Sequence, residues 1–205
     1  MIIKSALFKG SFKTVEQCPT GKLPEYAFIG RSNVGKSSLI NMLLNKKDLV
    51  KVSGRPGKTQ SINHFLINDS FYFVDLPGYG FAAVSKKEKH TWKKMIADFL
   101  QKREQLLNTF ILIDARHEPL KIDLDFINQF GEWQIPFSIV FTKADKVGKD
   151  VIANHKKMFE ERLAESWENL PPIFISSANT QMGREDIFKY VTEMLNDNAK
   201  LQDAV

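Results

Sequence analysis

The chain has 205 residues, 43% hydrophobic and 26% charged, with a formal net charge of +5. Those values fit one medium globular domain with a core of its own, and they exclude a solenoid repeat array and a chain dominated by disorder. The single cysteine, Cys18, excludes an intrachain disulfide and fits a reducing compartment.

No stretch approaches the length of a membrane span, and the apolar run at the N-terminus is too short for a signal peptide, so the expected location is the cytoplasm. The modest positive charge fits an acidic partner such as nucleic acid, and fits a slightly basic soluble enzyme equally well. Cys18 has no histidine beside it in a ligand or nucleophile pattern and reads as structural.

Tyr26-Ala27-Phe28-Ile29 is an apolar run ending at Gly30 and predicts a buried strand. Leu39, Ile40, Leu43 and Leu44 recur at helical spacing and predict a helix over 36–44. Residues 45–61, rich in Lys, Gly and Ser, predict a long functional loop. His64–Ile67 and Phe71–Val74 predict two strands joined by a hairpin turn at Asn68-Asp69-Ser70. Ser85 followed by Glu88 forms a capping box, and the helix behind it carries Trp92, Met95, Ile96, Phe99 and Leu100 on one face.

Phe110–Ile113 is the next predicted strand, ending at Asp114, and a helix around Leu124, Ile127 and Phe130 leads to the strand Phe137–Phe141. A helix over about 151–163, the strand Ile173–Ile175 and a helix over 185–195 complete the chain. Strands alternating with helices predict an α/β domain with a largely parallel sheet, the hairpin adding one antiparallel edge strand. The polar loops fall at the C-terminal ends of strands, where such sheets bind ligands.

Residues Gly30, Arg31, Ser32, Asn33, Val34, Gly35, Lys36 and Ser37 match G-x-x-x-x-G-K-S between a strand and a helix, with Ser38 beside them. Glycines let the backbone wrap phosphate, successive N–H groups and the helix N-terminus face the anion, Lys36 reaches the β- and γ-phosphates, and Ser37 offers its hydroxyl to Mg²⁺. Asp75, Leu76, Pro77 and Gly78 end a strand; the carboxylate can hold Mg²⁺ through water, and the Gly78 N–H can meet a γ-phosphate.

Thr142, Lys143, Ala144 and Asp145 end another strand, and a carboxylate there can accept the paired N–H donors of guanine, which adenine lacks. Ser176, Ser177 and Ala178 end the last strand with N–H groups placed to meet the guanine O6. Thr59, within Gly57-Lys58-Thr59-Gln60-Ser61, reads as a switch threonine that ligates Mg²⁺ when a γ-phosphate is present. Two basic groups, Lys46, Lys47, Lys51, Arg55 and Lys58 in the loop and Lys86, Lys87, Lys89, Lys93 and Lys94 after Gly80, suit either RNA contact or a solvated surface.

In that order, the segments at 30–37, 56–60, 75–80 and 142–145 resemble the TrmE–Era–EngA–EngB group of GTPases, and within it the EngB family, over nearly the whole chain. The resemblance implies a three-layer P-loop GTPase fold: a mainly parallel six-stranded sheet with one antiparallel edge strand and helices on both faces. It implies a G domain over 24–198, an N-terminal extension over 1–23 packed on it, and a tail over 199–205. It further implies slow hydrolysis of GTP to GDP, with Lys36, Thr59, Gly78 and Asn33 acting and Mg²⁺ held by Ser37, Thr59 and, through water, Asp75. The implied role is a monomeric switch in assembly of the large (50S) ribosomal subunit, with ribosomal RNA as partner and normal cell division and septation depending on it.

Tyr79 follows D-x-x-G where many GTPases carry a glutamine that orients water, so another group, a partner or an ion must serve hydrolysis. In relatives, an asparagine at the position of Asn33 helps bind K⁺ between the phosphates, and K⁺ activation follows as an expectation. A GTP-dependent binding module without hydrolysis is the alternative that Tyr79 keeps open.

Overall fold

The apolar runs pair into one sheet because each is long enough to span it and bounded by polar turns. In the computed structural model, residues 1–47, 49–50, 61–79 and 86–203 are described, with backbone alone at 86–89 and 203. The strands are β1 (Ala6–Phe12), β2 (Glu25–Gly30), β3 (Ile62–Ile67), β4 (Phe71–Asp75), β5 (Leu106–Asp114), β6 (Phe137–Thr142) and β7 (Ile173–Ile175). The α-helices are α1 (Lys36–Leu44), α2 (Lys86–Lys102), α3 (Lys121–Trp133), α4 (Lys149–Ala164) and α5 (Arg184–Asp203). The sheet order is β1-β3-β4-β2-β5-β6-β7.

Strands β4, β2, β5, β6 and β7 run parallel, and β3 lies antiparallel to both β4 and β1. The α/β fold is as expected, but the sheet has seven strands rather than six. The added strand, β1, lies within residues 1–23 and pairs outside β3, with a register shift between Phe8 and Gly10. Its apolar alternation is broken by Lys9-Gly10, and Leu7 and Phe8 are both half exposed, so hydrophobic periodicity gives no strand signal there.

Side chains of β2 alternate between two cores, as the period of two in a strand requires. Tyr26 and Phe28 pack with Leu39 and Leu43 of α1 and with Phe188 and Val191 of α5. Ala27 and Ile29 face the other core, with Phe99 of α2, Phe130 of α3 and Phe159 of α4. The layers are therefore α1 and α5, the sheet, and α2, α3 and α4. Burial on both faces explains why β2, β5 and β6 read as unbroken apolar runs.

The hairpin between β3 and β4 turns at Asn68 and Asp69, both left-handed (φ 50° and 53°), with Ser70 N donating to Ile67 O at 2.9 Å. Two consecutive positive φ values define a type I′ turn, for which Asn and Asp are among the few suitable residues. Asn45 ends α1 in the left-handed region, and the Asn41 side chain clamps Val50 through both its N–H and its carbonyl at 2.8 Å. Ser85 of the expected capping box lies outside the described residues, and of Glu88 only the backbone is described. No helix among the described residues is long and apolar enough to cross a membrane.

Candidate nucleotide site

Strand β2 delivers the chain to Gly30 at the C-terminal edge of the sheet, and α1 starts six residues later at Lys36. Between them Asn33 (φ 61°) and Gly35 (φ 102°) are left-handed, which curls the loop. The amides of residues 35–38 precede the first hydrogen bond of α1, Leu39 N to Gly35 O at 2.9 Å. They are donors at the positive end of a helix, where an anion is stabilised.

The loop touches the end of β4 directly. A Cβ built on Gly78 would stand 2.8 Å from Gly30 O, and one on Gly30 would stand 2.9 Å from Leu112 and from Val34, so both approaches require glycine. Leu76 N donates to Phe28 O at 3.0 Å and Tyr79 N to Gly30 O at 3.2 Å, extending the β2–β4 pairing past the strand ends. Asp75 is 1% exposed; one of its oxygens pairs with the Lys36 ammonium and the other accepts from Asn63 Nδ2 at 3.3 Å.

The second half of the site is built at the ends of β5, β6 and β7. The Thr142 hydroxyl donates to Val34 O at 2.6 Å, tying β6 to the phosphate loop. Lys143 is left-handed (φ 59°) and its ammonium bridges Asn33 O and Asp114 Oδ2, the latter at 2.8 Å. A Cβ built on Gly35 would lie 3.7 Å from Lys143 Cε, so the lysine stem rests on the loop.

Asp145 accepts from the Ser177 hydroxyl at 2.7 Å and from Asn179 Nδ2 at 2.9 Å, and these bonds hold its carboxyl down to about 2. Ser176 N donates to Phe141 O at 2.7 Å, and the buried Ser176 hydroxyl has no partner among the described residues. A cavity of about 210 Å³ opens between Gly35, Ser38, Lys143, Asp145 and Ala178. Its depth leads from an ionised carboxylate to a helix N-terminus, an arrangement that can take a base at one end and phosphate at the other.

The nucleotide-site segments of the sequence thus converge on one edge. Gly30–Ser38, Asp75–Gly78, Thr142–Asp145 and Ser176–Ala178 are adjacent through the contacts above, and Ser61 lies just before β3. Gly57, Lys58, Thr59 and Gln60 lie outside the described residues, as do Lys51 and Arg55. Lys46, Lys47, Lys93 and Lys94 are exposed; of Lys86, Lys87 and Lys89 only the backbone is described.

The family model for 50S ribosome-binding GTPases matches residues 25–143. The probable GTP-binding protein EngB of Flavobacterium psychrophilum is 54% identical over 198 residues, covering 96% of this chain and 97% of its own. That of Porphyromonas gingivalis is 52% identical over 191 residues, covering 93% and 95%. The chain belongs to the EngB family of GTP-binding proteins. Its fold also matches the crystal structure of a probable GTP-binding protein engB (TM-score 0.68, 23% identity, 84% of this chain and 99% of that one). An Aquifex aeolicus Era variant bound to GDP.AlF4- has the same fold (TM-score 0.66, 24% identity, 85% and 57%).

Several residues of this EngB-family site escaped sequence reasoning. Asp114 is 4% exposed and accepts from Arg116 Nε, Nη2 and backbone N at 2.9, 2.8 and 3.2 Å as well as from Lys143. Burial pushes this carboxyl up, but the bonds from Arg116 and Lys143 outweigh it and hold it well below the usual carboxylate range. Asn179 braces Asp145 from one residue beyond Ser176–Ala178. The signal for Asp114 was its place at the end of a buried strand, which it shares with Asp75; for Asn179 the sequence carried no signal beyond a polar residue in a loop.

Tyr79 of the EngB-family site is turned toward α3. Its ring stacks on Phe126 with centroids 4.0 Å apart, and its hydroxyl donates to Asp123 at 2.8 Å. Burial first, then the Asp123 charge, pushes the phenol well above its ordinary value, so it stays protonated and serves as a donor.

Proposed function

We propose that this chain binds GTP and GDP in the site just described, hydrolyses GTP slowly, and uses the two nucleotide states as a switch on the large (50S) ribosomal subunit or its precursor. The observation that carries the nucleotide reading is Lys143: it rests on Gly35 of the phosphate loop while its neighbour Asp145 presents an ionised carboxylate to the same cavity. Guanine brings two N–H donors to that carboxylate and adenine brings no such pair, a difference of about 1–3 kcal/mol or more.

The residues present fit Mg²⁺. Ser37 stands in the first turn of α1, Asp75 lies at the adjacent strand end, and both offer the hard oxygen donors this ion takes alongside phosphate. Ser37 and Thr59 would ligate it and Asp75 would hold it through water; when bound, it neutralises charge on the β- and γ-phosphates. Around it Lys36 would bind phosphate, Gly78 would offer its N–H to the γ-phosphate, and Asn33 would help bind K⁺. Equal hydrolysis rates in K⁺ and Na⁺ buffers would dismiss the K⁺ role.

A family described as 50S ribosome-binding supports the large subunit as partner; ribosomal RNA as the contacted component, and the dependence of normal cell division and septation on this switch, are part of the same proposal. Residues 24–198 act as the G domain, with 1–23 as an extension that adds β1 to its sheet and 199–205 as a tail whose described residues continue α5, in a cytoplasmic monomer. The exposed Lys46, Lys47, Lys93 and Lys94 flank the two switch segments and suit RNA contact.

Co-sedimentation with large ribosomal subunits tests the switch: the GTP form should pellet with the particles and the GDP form should not. The anchoring of Tyr79 on α3 favours a second reading, a GTP-dependent binding module with negligible intrinsic hydrolysis. Turnover measured with and without large-subunit particles separates the two.

A further inference from the structure

Asp123 lies in the first turn of α3, 1% exposed. A single oxygen, Oδ1, accepts two hydrogen bonds, from Arg31 Nε at 3.0 Å and from the Tyr79 hydroxyl at 2.8 Å. The other oxygen, Oδ2, has no hydrogen-bond partner among the described residues. Arg31 is the second residue of the phosphate loop, and Tyr79 directly follows Gly78. Their backbones form a parallel bridge, so both loops meet here twice, once through main chain and once through the Asp123 side chain.

A carboxylate withdrawn from water is costly and is retained where partners compensate it. Both side-chain partners of Asp123 come from outside α3, and both come from segments read here as holding phosphate. A residue serving only to start α3 would instead bond the free amides of that helix turn. Neither the Tyr79 ring, held face to face on Phe126, nor its hydroxyl is free to orient water. The arrangement positions main chain: fixing Arg31 fixes the start of the loop, and fixing Tyr79 fixes the N–H of Gly78 beside it.

We propose that Asp123 is a positioning residue for GTP: by taking Arg31 and Tyr79 on one oxygen, it sets the phosphate loop and Gly78 in the relative place that a γ-phosphate needs. The proposal rests on the nucleotide reading above. GDP has no γ-phosphate, and Gly35, Lys36, Lys143 and Asp145, the residues read above as meeting its phosphates and base, have no side-chain hydrogen bond to Asp123 among the described residues. Loss of the Asp123 anchor therefore separates the triphosphate from the diphosphate.

The test uses the full chain with Asp123→Asn, Tyr79→Phe and the double variant. Three quantities are measured: affinity for a fluorescent GDP analogue, affinity for a non-hydrolysable GTP analogue, and the single-turnover rate of GTP hydrolysis. Each single variant is expected to keep GDP affinity within about threefold and to lose about tenfold in GTP-analogue affinity or in rate, the size of one hydrogen bond to a charged group. Asp123→Asn takes the charge from the group that the Tyr79 hydroxyl meets and Tyr79→Phe removes that hydroxyl, so the two act on one interaction and the double variant should lose less than the product of the single losses.

Equal losses for GDP and GTP analogue, no loss for either, or losses that multiply in the double variant would each overturn the proposal. Tyr79→Phe keeps the ring on Phe126 and deletes one hydroxyl, so it decides the matter even where Asp123→Asn does not fold. A wild-type chain that binds neither nucleotide would overturn the site reading and this proposal with it; a wild-type chain that binds both, with variants that do not discriminate, overturns the proposal alone.

Discussion

The Lys36 ammonium and the Asp75 carboxylate are ion-paired across the phosphate loop with side chains only 10% and 1% exposed. The lysine that a phosphate would claim is thus already matched to an anion, and the carboxylate that would face Mg²⁺ is matched to a cation. Asp75→Asn removes one charge of a nearly buried pair and leaves Lys36 without it, a loss of about 3 kcal/mol. The thermal midpoint should fall by about 6–12 °C for a chain of this size. Inorganic pyrophosphate, supplied without Mg²⁺, replaces the missing anion and should raise the midpoint of the variant more than that of the wild type. Scanning fluorimetry with and without pyrophosphate measures both; equal shifts would count against the phosphate assignment of Lys36.

Asp145 supplies the base-recognition prediction. Asp145→Asn swaps an acceptor for a donor opposite the guanine N–H groups, and GDP affinity should fall about 100-fold, two hydrogen bonds' worth, without any gain in ATP affinity. The bonds from Ser177 and Asn179 depress the carboxyl to about 2, so the charge is fully present above its ordinary value of 3.8 and is lost only as pH falls toward 2. GDP affinity, measured by fluorescence titration, should accordingly show no step from this group between pH 8 and pH 4. A step near pH 5 would mean that the hydrogen bonds on Asp145 do not hold in solution.

Legibility tracked the kind of physics involved. Apolar runs marked β2 through β7, most strongly β2, β4 and β6, where every residue is buried and so every residue carries the signal. The phosphate loop, Asp75 and Asp145 were readable because backbone approach and charge demand particular residues at particular spacings. Strand β1 was not, because an edge strand exposes Leu7 and Phe8 and is held by main-chain pairing that leaves no periodic trace. Asp114 and Asp123 were missed for another reason: their function is to hold Lys143, Arg31 and Tyr79, residues 29 to 92 positions away in sequence.

A second buried network, far from the loop, sets stability. Glu25 at the start of β2 is bonded by Arg103 after α2 and by His64 of β3, with side chains 1%, 11% and 0% exposed. Arg103 also donates to Pro19 O at 3.0 Å, so the network joins four segments. Arg103→Met leaves a buried carboxylate short of its cation and should cost about 3–5 kcal/mol by urea unfolding. Adding Glu25→Gln should recover part of that loss, since the uncompensated charge is then gone. Burial pushes the Glu25 carboxyl up, but bonds from His64 and Arg103 lower it overall from 4.5. Its contribution is therefore present above pH 4.5 and fades as pH falls below it; in the Arg103→Met variant that acid dependence should weaken.

Asn68 fastens β1 to the rest of the sheet, and its substitution tests whether that edge opens independently. Its Oδ1 accepts from Lys4 N and Ser5 N at 2.7 and 3.1 Å, and its Nδ2 donates to Ile2 O at 2.8 Å. The same residue supplies one left-handed position of the type I′ turn. Asn68→Gly keeps the turn geometry and deletes the three side-chain bonds, about 2 kcal/mol at partly exposed sites. If that energy holds β1 locally, amide hydrogen exchange at Ala6–Phe8 should accelerate about 30-fold while the amides of β5 stay unchanged. Acceleration spread evenly over β1 and β5 would mean instead that β1 opens only with the whole domain. Asn68→Ala should show the larger effect, because alanine adds the cost of a positive φ to the same lost bonds.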